Sequence, residues 1–246
     1  MRQFAWLCLF TLACWTPAAL AGQTHSAAPK PATSVHPRTR TTTHMTIDPA
    51  LLHPATLNAK APNSYEVKFV TTKGDFTVQV TRSWAPIGAD RFYNLVRHHF
   101  YNDASFFRVV PGFVVQFGLS ADPAVNRAWK NADIKDDRVT QSNHPGFLTF
   151  ATAGPNTRTT QIFINLGNNT GLDNQGFAPF GQVTSGMDVV QKLYGGYGDK
   201  PDQGLITSQG KAYIDKSFPN LDRIETATIV EAAATPHTAP AHKPAS

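Results

Sequence analysis

The stretch FFRVVPGFVVQFGLS, Phe106 to Ser120, places one guanidinium and one amide in an otherwise apolar run. Arg108 and Gln116 stand on either side of a Pro111-Gly112 break. A strand with an ordinary solvent-facing side has this look. So does the wall of an apolar pocket that offers two polar handles to a ligand. In the second case the chemistry is narrow. Arg stays charged, donates five hydrogen bonds and accepts none. It is no general base, but it can donate to an atom that gains electron density during a reaction, and an apolar, preorganised site strengthens that donation.

Other chemistries find little support. Cys8 and Cys14 are the only cysteines and both lie in the first twenty residues, so the rest of the chain has no thiol nucleophile, disulfide framework or thiolate metal site. His98 and His99 are adjacent and would point different ways on a helix, which does not suit joint metal binding. GGYGD (Gly195 to Asp199) does not open a helix after a strand and is no phosphate cradle. No Ser-His-Asp arrangement emerges, and NNT (Asn168 to Thr170) is a short sequon match that chance supplies often.

The elements around the run read mostly as strands. Tyr65, Val67 and Phe69 alternate with polar residues, TTKGD turns the chain, and Phe76, Val78 and Val80 alternate again, which predicts a hairpin. APIGADRFYNLVRHHF predicts a helix with Pro86 near its start and Phe92, Leu95, Val96 and His99 on one face. Strands are expected over 106–110, 113–117, 147–151, 161–166 and 224–230. FGQVTSGMDVVQKLY reads as a strand end, a Thr184/Ser185 cap and a second helix with Met187, Val190 and Tyr194 on one side. Many short strands with two helices point to an all-β-dominated fold, a closed antiparallel barrel whose open ends the helices plug.

FFRVVPGFVVQFG, GFLTFATAGPNTRTTQIFINL (Gly146 to Leu166), LDNQGFAPFGQV (Leu172 to Val183) and GMDVV (Gly186 to Val190) occur in this order. Together they closely resemble the signature of cyclophilin-type peptidyl-prolyl isomerases over roughly residues 65 to 230. The resemblance implies an eight-stranded β-barrel capped by two helices, and cis–trans isomerisation of X–Pro bonds without a cofactor or metal. It implies that Arg108, Phe113 and Gln116 carry catalysis, with Gln116 binding the substrate backbone and orienting Arg108. Phe113, Val114, Phe163 and Leu172 would line the proline slot, with Ala151, Thr152, Gln161 and Phe177 around it. Gln161 and Phe163 are two apart on a strand and so share a face. Strict alternation puts Phe113 and Gln116 on opposite faces, and both reach one pocket only if a bulge or twist shifts the phase. Two positions depart from the family: Gly171 where many members carry a tryptophan, and Phe177 where they carry a histidine. The first implies weak cyclosporin binding.

The chemistry fits such a site. Resonance gives the X–Pro bond a rotation barrier of about 18–20 kcal/mol, and uncatalysed exchange takes roughly tens to hundreds of seconds. No bond breaks, so a site need only favour the twisted amide over both planar forms. A non-catalytic chaperone or adaptor that grips proline peptides on the same fold is the alternative, motivated by the altered Gly171 and Phe177 edge.

Met1-Arg2, the apolar run Phe4 to Leu20 and the small residues Ala19 to Ala21 predict a signal peptide over 1–21 and an exported, periplasmic or secreted protein. A membrane anchor is disfavoured by Pro17 and the short run, and acylation of Cys14 by a poor match before it. Residues 22–63 and 232–246 are rich in Pro, Thr, Ala and His and read as a flexible linker and a disordered tail, with tethering to the envelope as a further role. The domain is expected over 64–231. Between Ser64 and Glu231 stand sixteen basic and sixteen acidic side chains, so the net charge of +5 belongs to the flanks. A neutral domain argues against nucleic acid as partner. Expected partners are proline-containing unfolded or loop-exposed polypeptides, met by a monomer with no membrane span after cleavage.

Overall fold

A computed structural model describes residues 47–230. The expected signal peptide, the linker as far as residue 46 and the expected tail from 232 lie outside the described residues. Eight strands form one sheet: β1 (Ser64–Thr71), β2 (Gly74–Thr81), β3 (Arg108–Val110), β4 (Val114–Phe117), β5 (Phe147–Phe150), β6 (Ile162–Asn165), β7 (Pro179–Ser185) and β8 (Ile224–Val230). All neighbours are antiparallel, in the order β3-β4-β6-β5-β7-β2-β1-β8. The predicted hairpin is β1–β2, with Tyr65 opposite Val80, Val67 opposite Val78 and Phe69 opposite Phe76. All six side chains are buried, as period-two alternation demands. Phe69 stacks on Phe76 with centroids 4.7 Å apart and meets Phe117 edge-on at 5.8 Å, tying the hairpin to β4 through the core.

The sheet curls through 215° and stays open, a half-barrel and not the closed barrel expected from the sequence. Between its two outermost strands the contact reduces to one bridge, Ser105 to Arg223, flanked by Phe106 N–H donating to Asp222 O at 3.0 Å and Ile224 N–H donating to Ala104 O at 2.9 Å. Beyond that the chain diverges. β3 is three residues long, and Val109 N–H turns to the Gly198 carbonyl at 3.4 Å. On β8 the outward Ala227 N–H is taken by Asn102 Oδ1 at 3.1 Å.

Helix α1 (Pro86–Arg97) buries Phe92, Leu95 and Val96 against the sheet. Its N-cap residue, Ala85, has no hydrogen-bonding side chain to offer. Asp137, fifty residues on, accepts instead from Ile87 N–H at 3.0 Å and Gly88 N–H at 2.8 Å. His99 does not continue the apolar face: it is exposed past the helix end, with φ 59°. The expected second helix is shorter than predicted. Thr184 and Ser185 belong to β7, left-handed Gly186 precedes α3 (Met187–Gln191) without a side-chain cap, and Tyr194 lies outside it. Three further helices, α2 (Pro123–Trp129), α4 (Gln203–Gln209) and α5 (Lys211–Ser217), are not expected from the sequence pattern. Phe107 and Leu119 pack with Ile206 of α4 and Ile214 of α5 in a small second core. No described helix is long and apolar enough to cross a membrane.

Residues 47–63 are packed, which corrects their assignment to a free linker. Leu51 is buried, and its carbonyl accepts from the Trp129 indole at 2.8 Å. Ala59 exchanges two hydrogen bonds with the Asn94 side chain, at 3.0 and 2.7 Å, and Ala61 N–H donates to Asp90 at 2.8 Å. Asp48 lies 2.6 Å from His98 Nδ1. Backbone groups bonded to distant side chains hold this segment, not an apolar periodicity.

Candidate active site

Arg108 on β3 sits opposite Gln116 on β4, and Gln116 sits opposite Phe163 on β6. Pairing across three adjacent strands sets these side chains in one row on one face. Arg108 Nη1 donates to Gln116 Oε1 at 3.3 Å, and Gln116 Nε2 donates to Gln161 Oε1 at 2.9 Å. The guanidinium carbon lies 5.6 Å from the centre of the Phe113 ring, within the range of a cation–π contact.

Phe113 resolves the phase problem without a bulge. It precedes β4 and closes a tight turn in which its N–H donates to Val110 O at 3.0 Å. Pro111 and Gly112 occupy the two central positions, and Gly112 has φ +74°. Proline then glycine with positive φ is the pattern of a type II turn. The ring reaches the pocket from the turn, while Val114 and Gln116 face it from alternate strand positions. The Phe113 carbonyl is fixed by Leu166 N–H at 2.8 Å and Asn169 Nδ2 at 2.9 Å.

These groups surround a cavity of about 180 Å³ lined by Arg108, Phe113, Val114, Gln116, Ala151, Thr152, Phe163, Leu172 and Phe177. Nine of the ten residues singled out in the sequence are thus brought together. The tenth, Gln161, is not in the lining but holds Gln116. Phe177 meets Phe163 edge-on at 5.7 Å and shapes one rim. Gly171, beside Leu172, is exposed, and a Cβ there would meet nothing within 4 Å. That rim is unfilled.

Sequence reasoning misses the residues that hold the Leu172–Phe177 wall. Asn143 is fully buried. Its Nδ2 donates to Asp173 Oδ1 at 2.8 Å and to Phe177 O at 2.9 Å, and its Oδ1 accepts from Thr149 Oγ1 at 2.8 Å. Asp173 also accepts from Ser142 Oγ at 2.6 Å. Burial pushes the Asp173 carboxyl up, but the bonds from Ser142 and Asn143 outweigh it and hold the group below the usual range. In the sequence these residues look like loop polars, and only the fold pairs them.

The opposite wall hangs on two cations, Arg158 buried and Arg91 half-buried. Ala151 N–H donates to Gln161 O at 2.9 Å, closing the loop that carries Thr152. Arg158 joins that loop to Asp137 at 3.0 Å and to the Lys135 carbonyl. Arg91 of α1 donates to Ala132 O at 2.6 Å and Thr159 O at 3.0 Å. Burial brings the Arg91 guanidinium down to about 10, which leaves it charged at neutral pH. Among the described residues no three His, Cys, Asp or Glu side chains gather as metal ligands.

Comparison with known proteins agrees with this geometry. Residues 66–209 match the family model described as "Cyclophilin type peptidyl-prolyl cis-trans isomerase/CLD". A peptidyl-prolyl cis-trans isomerase of Acinetobacter baylyi is 34% identical over 143 residues, covering 56% of this chain and 76% of that protein. The peptidyl-prolyl cis-trans isomerase-like 1 of Aspergillus fumigatus is 34% identical over 135 residues, covering 52% and 81%. The crystal structure of a Cryptosporidium parvum cyclophilin type peptidyl-prolyl cis-trans isomerase shares the fold, with TM-score 0.51 at 20% identity over 69% of this chain and 99% of that one. A second structure of that protein, in the presence of the dipeptide Ala-Pro, gives the same TM-score, 0.51. More than half of the chain lies within the family model, and its relatives carry the isomerase name from bacterium to fungus: the chain belongs to the cyclophilin-type peptidyl-prolyl cis–trans isomerases.

Proposed function

We propose that Arg108 drives the isomerisation by donating to the prolyl nitrogen, or to the neighbouring carbonyl, of an X–Pro bond held in the pocket. The observation that carries this is the guanidinium poised beside the Phe113 ring and bonded to Gln116 at the lip of an apolar cavity. The proline ring enters between Phe113, Phe163 and Leu172. Gln116 and the backbone at Ala151 and Thr152 grip the peptide on the side of the preceding residue. As the amide twists, its nitrogen loses resonance and its lone pair becomes a better acceptor. The donation therefore strengthens at the barrier and is weaker in both planar states, which is what lowers a barrier. A charge-assisted bond contributes about 1.5–3 kcal/mol, or roughly ten- to a hundredfold in rate.

Exchange NMR on a short Ala-Pro peptide tests this. The wild-type domain should accelerate exchange, and Arg108→Ala should lower kcat/KM about ten- to a hundredfold. Equal rates from both proteins reject the assignment. The open rim at Gly171 supports weak cyclosporin binding. The leader supports export, with proline-containing unfolded or loop-exposed chains as substrates in the periplasm. Sequencing of the secreted product should read from Gly22.

A further inference from the structure

We infer that residues 231–246 of the same molecule enter the pocket, so that the enzyme isomerises its own Lys243–Pro244 bond and is competed by it. This rests on the reading of the Arg108 pocket as the isomerase site. Arg108 is the one charged side chain in the lining, and the rest of the wall meets a segment through apolar and uncharged polar groups. The segment EAAATPHTAPAHKPAS holds three such units, at Thr235–Pro236, Ala239–Pro240 and Lys243–Pro244, set among small residues.

Reach decides which unit arrives. Arg108 stands three residues past Ser105, and Val230 stands seven past its bridge partner Arg223. The bridge is antiparallel, so the two runs point apart, and their summed length puts Val230 at most roughly 40 Å from Arg108. Extended fully, the chain from Val230 spans roughly 20 Å to Pro236, 35 Å to Pro240 and 48 Å to Pro244. Pro244 reaches the site even at that greatest separation, whereas Pro240 and Pro236 reach it only where the true separation is shorter. A ligand tied to its site by a chain of this length is presented at about millimolar effective concentration. A site that holds a short peptide with Kd of about 1 mM is then filled by the segment about half of the time. The apparent KM for added peptide rises about twofold in consequence.

Exchange NMR on residues 22–246 and on the free peptide 231–246 tests the inference. The Lys243–Pro244 bond should exchange at least about tenfold faster in the protein than its uncatalysed timescale of tens to hundreds of seconds. The rate should not change on dilution. Pro240→Ala with Pro244→Ala should lower the KM for an added Ala-Pro peptide about twofold at unchanged kcat. If the protein turns over added peptide while Lys243–Pro244 exchanges as it does in the free segment, the inference falls and the pocket assignment stands. No turnover of added peptide sinks the assignment itself. A rate that scales with protein concentration means that a second copy supplies the site, which overturns the same-molecule form.

Discussion

Arg108 donates to Gln116, which donates to Gln161, so the guanidinium is aimed through two amides. Its charge and its fork are separable. Arg108→Lys keeps the charge but loses the planar pair of donors, and its kcat/KM should fall between wild type and Arg108→Ala in the same peptide assay. Gln161→Leu should lower kcat/KM by about two- to tenfold, the cost of one net hydrogen bond, because it leaves Gln116 Nε2 without its partner. The likeness to a family pointed to these side chains from the sequence, since short motifs carry the residue types. Their phase was not legible. Alternation set Phe113 against Gln116, and only the Pro111-Gly112 turn, which takes Phe113 off the strand, explains how both reach one cavity.

Elements hold the pocket open. The Leu172–Phe177 wall hangs from Asn143, which binds Asp173, the Phe177 carbonyl and Thr149 at once. Asn143→Ala should destabilise the fold by about 2–3 kcal/mol in urea melts, since it leaves buried groups unsatisfied, and should raise KM more than it lowers kcat. Strands β1 and β2 were legible because one face is buried and the apolar period is clean. Helices α2, α4 and α5 were not. They are seven residues each, too short for a periodic stripe, although Asp122 and Asp202 cap two of them as N-terminal signals. The small core of Phe107, Leu119, Ile206 and Ile214 joins residues from two distant stretches of the chain, which no local pattern announces.

At the scale of the whole molecule, the domain begins before its first strand. A chain starting at Ser64 loses the burial of Leu51 and the bond to the Trp129 indole. It should be less stable by about 3 kcal/mol or more, a fall in Tm of roughly 10 °C by calorimetry. The sequence concealed this because the large apolar anchors are few, Leu51 buried and Leu57 half-buried against the core, and the other ties are largely polar. Acid should weaken the fold in a defined window. Burial raises the Asp90 carboxyl, but Arg82 and the Ala61 N–H more than offset it, and Asp173 is likewise held low. A carboxyl lowered by folding stabilises the protein above its unfolded pKa of about 3.9 and loses that effect as pH falls through the folded value. Tm should therefore be level above about pH 5 and drop below about pH 4, and Asp90→Asn should shrink the drop. The curl of the sheet was the least legible feature of all, because closure depends on whether two distant segments meet, and here they touch at a single bridge.

That unfinished curl bears on how the sheet meets other extended chains. Extended polypeptides seek free main-chain donors to copy themselves onto, and an incomplete sheet offers a template for such growth. Here Asn102 occupies the Ala227 donor and Ala104 the Ile224 donor. These two plugs on the last strand leave fewer main-chain donors free for a passing chain to pair with.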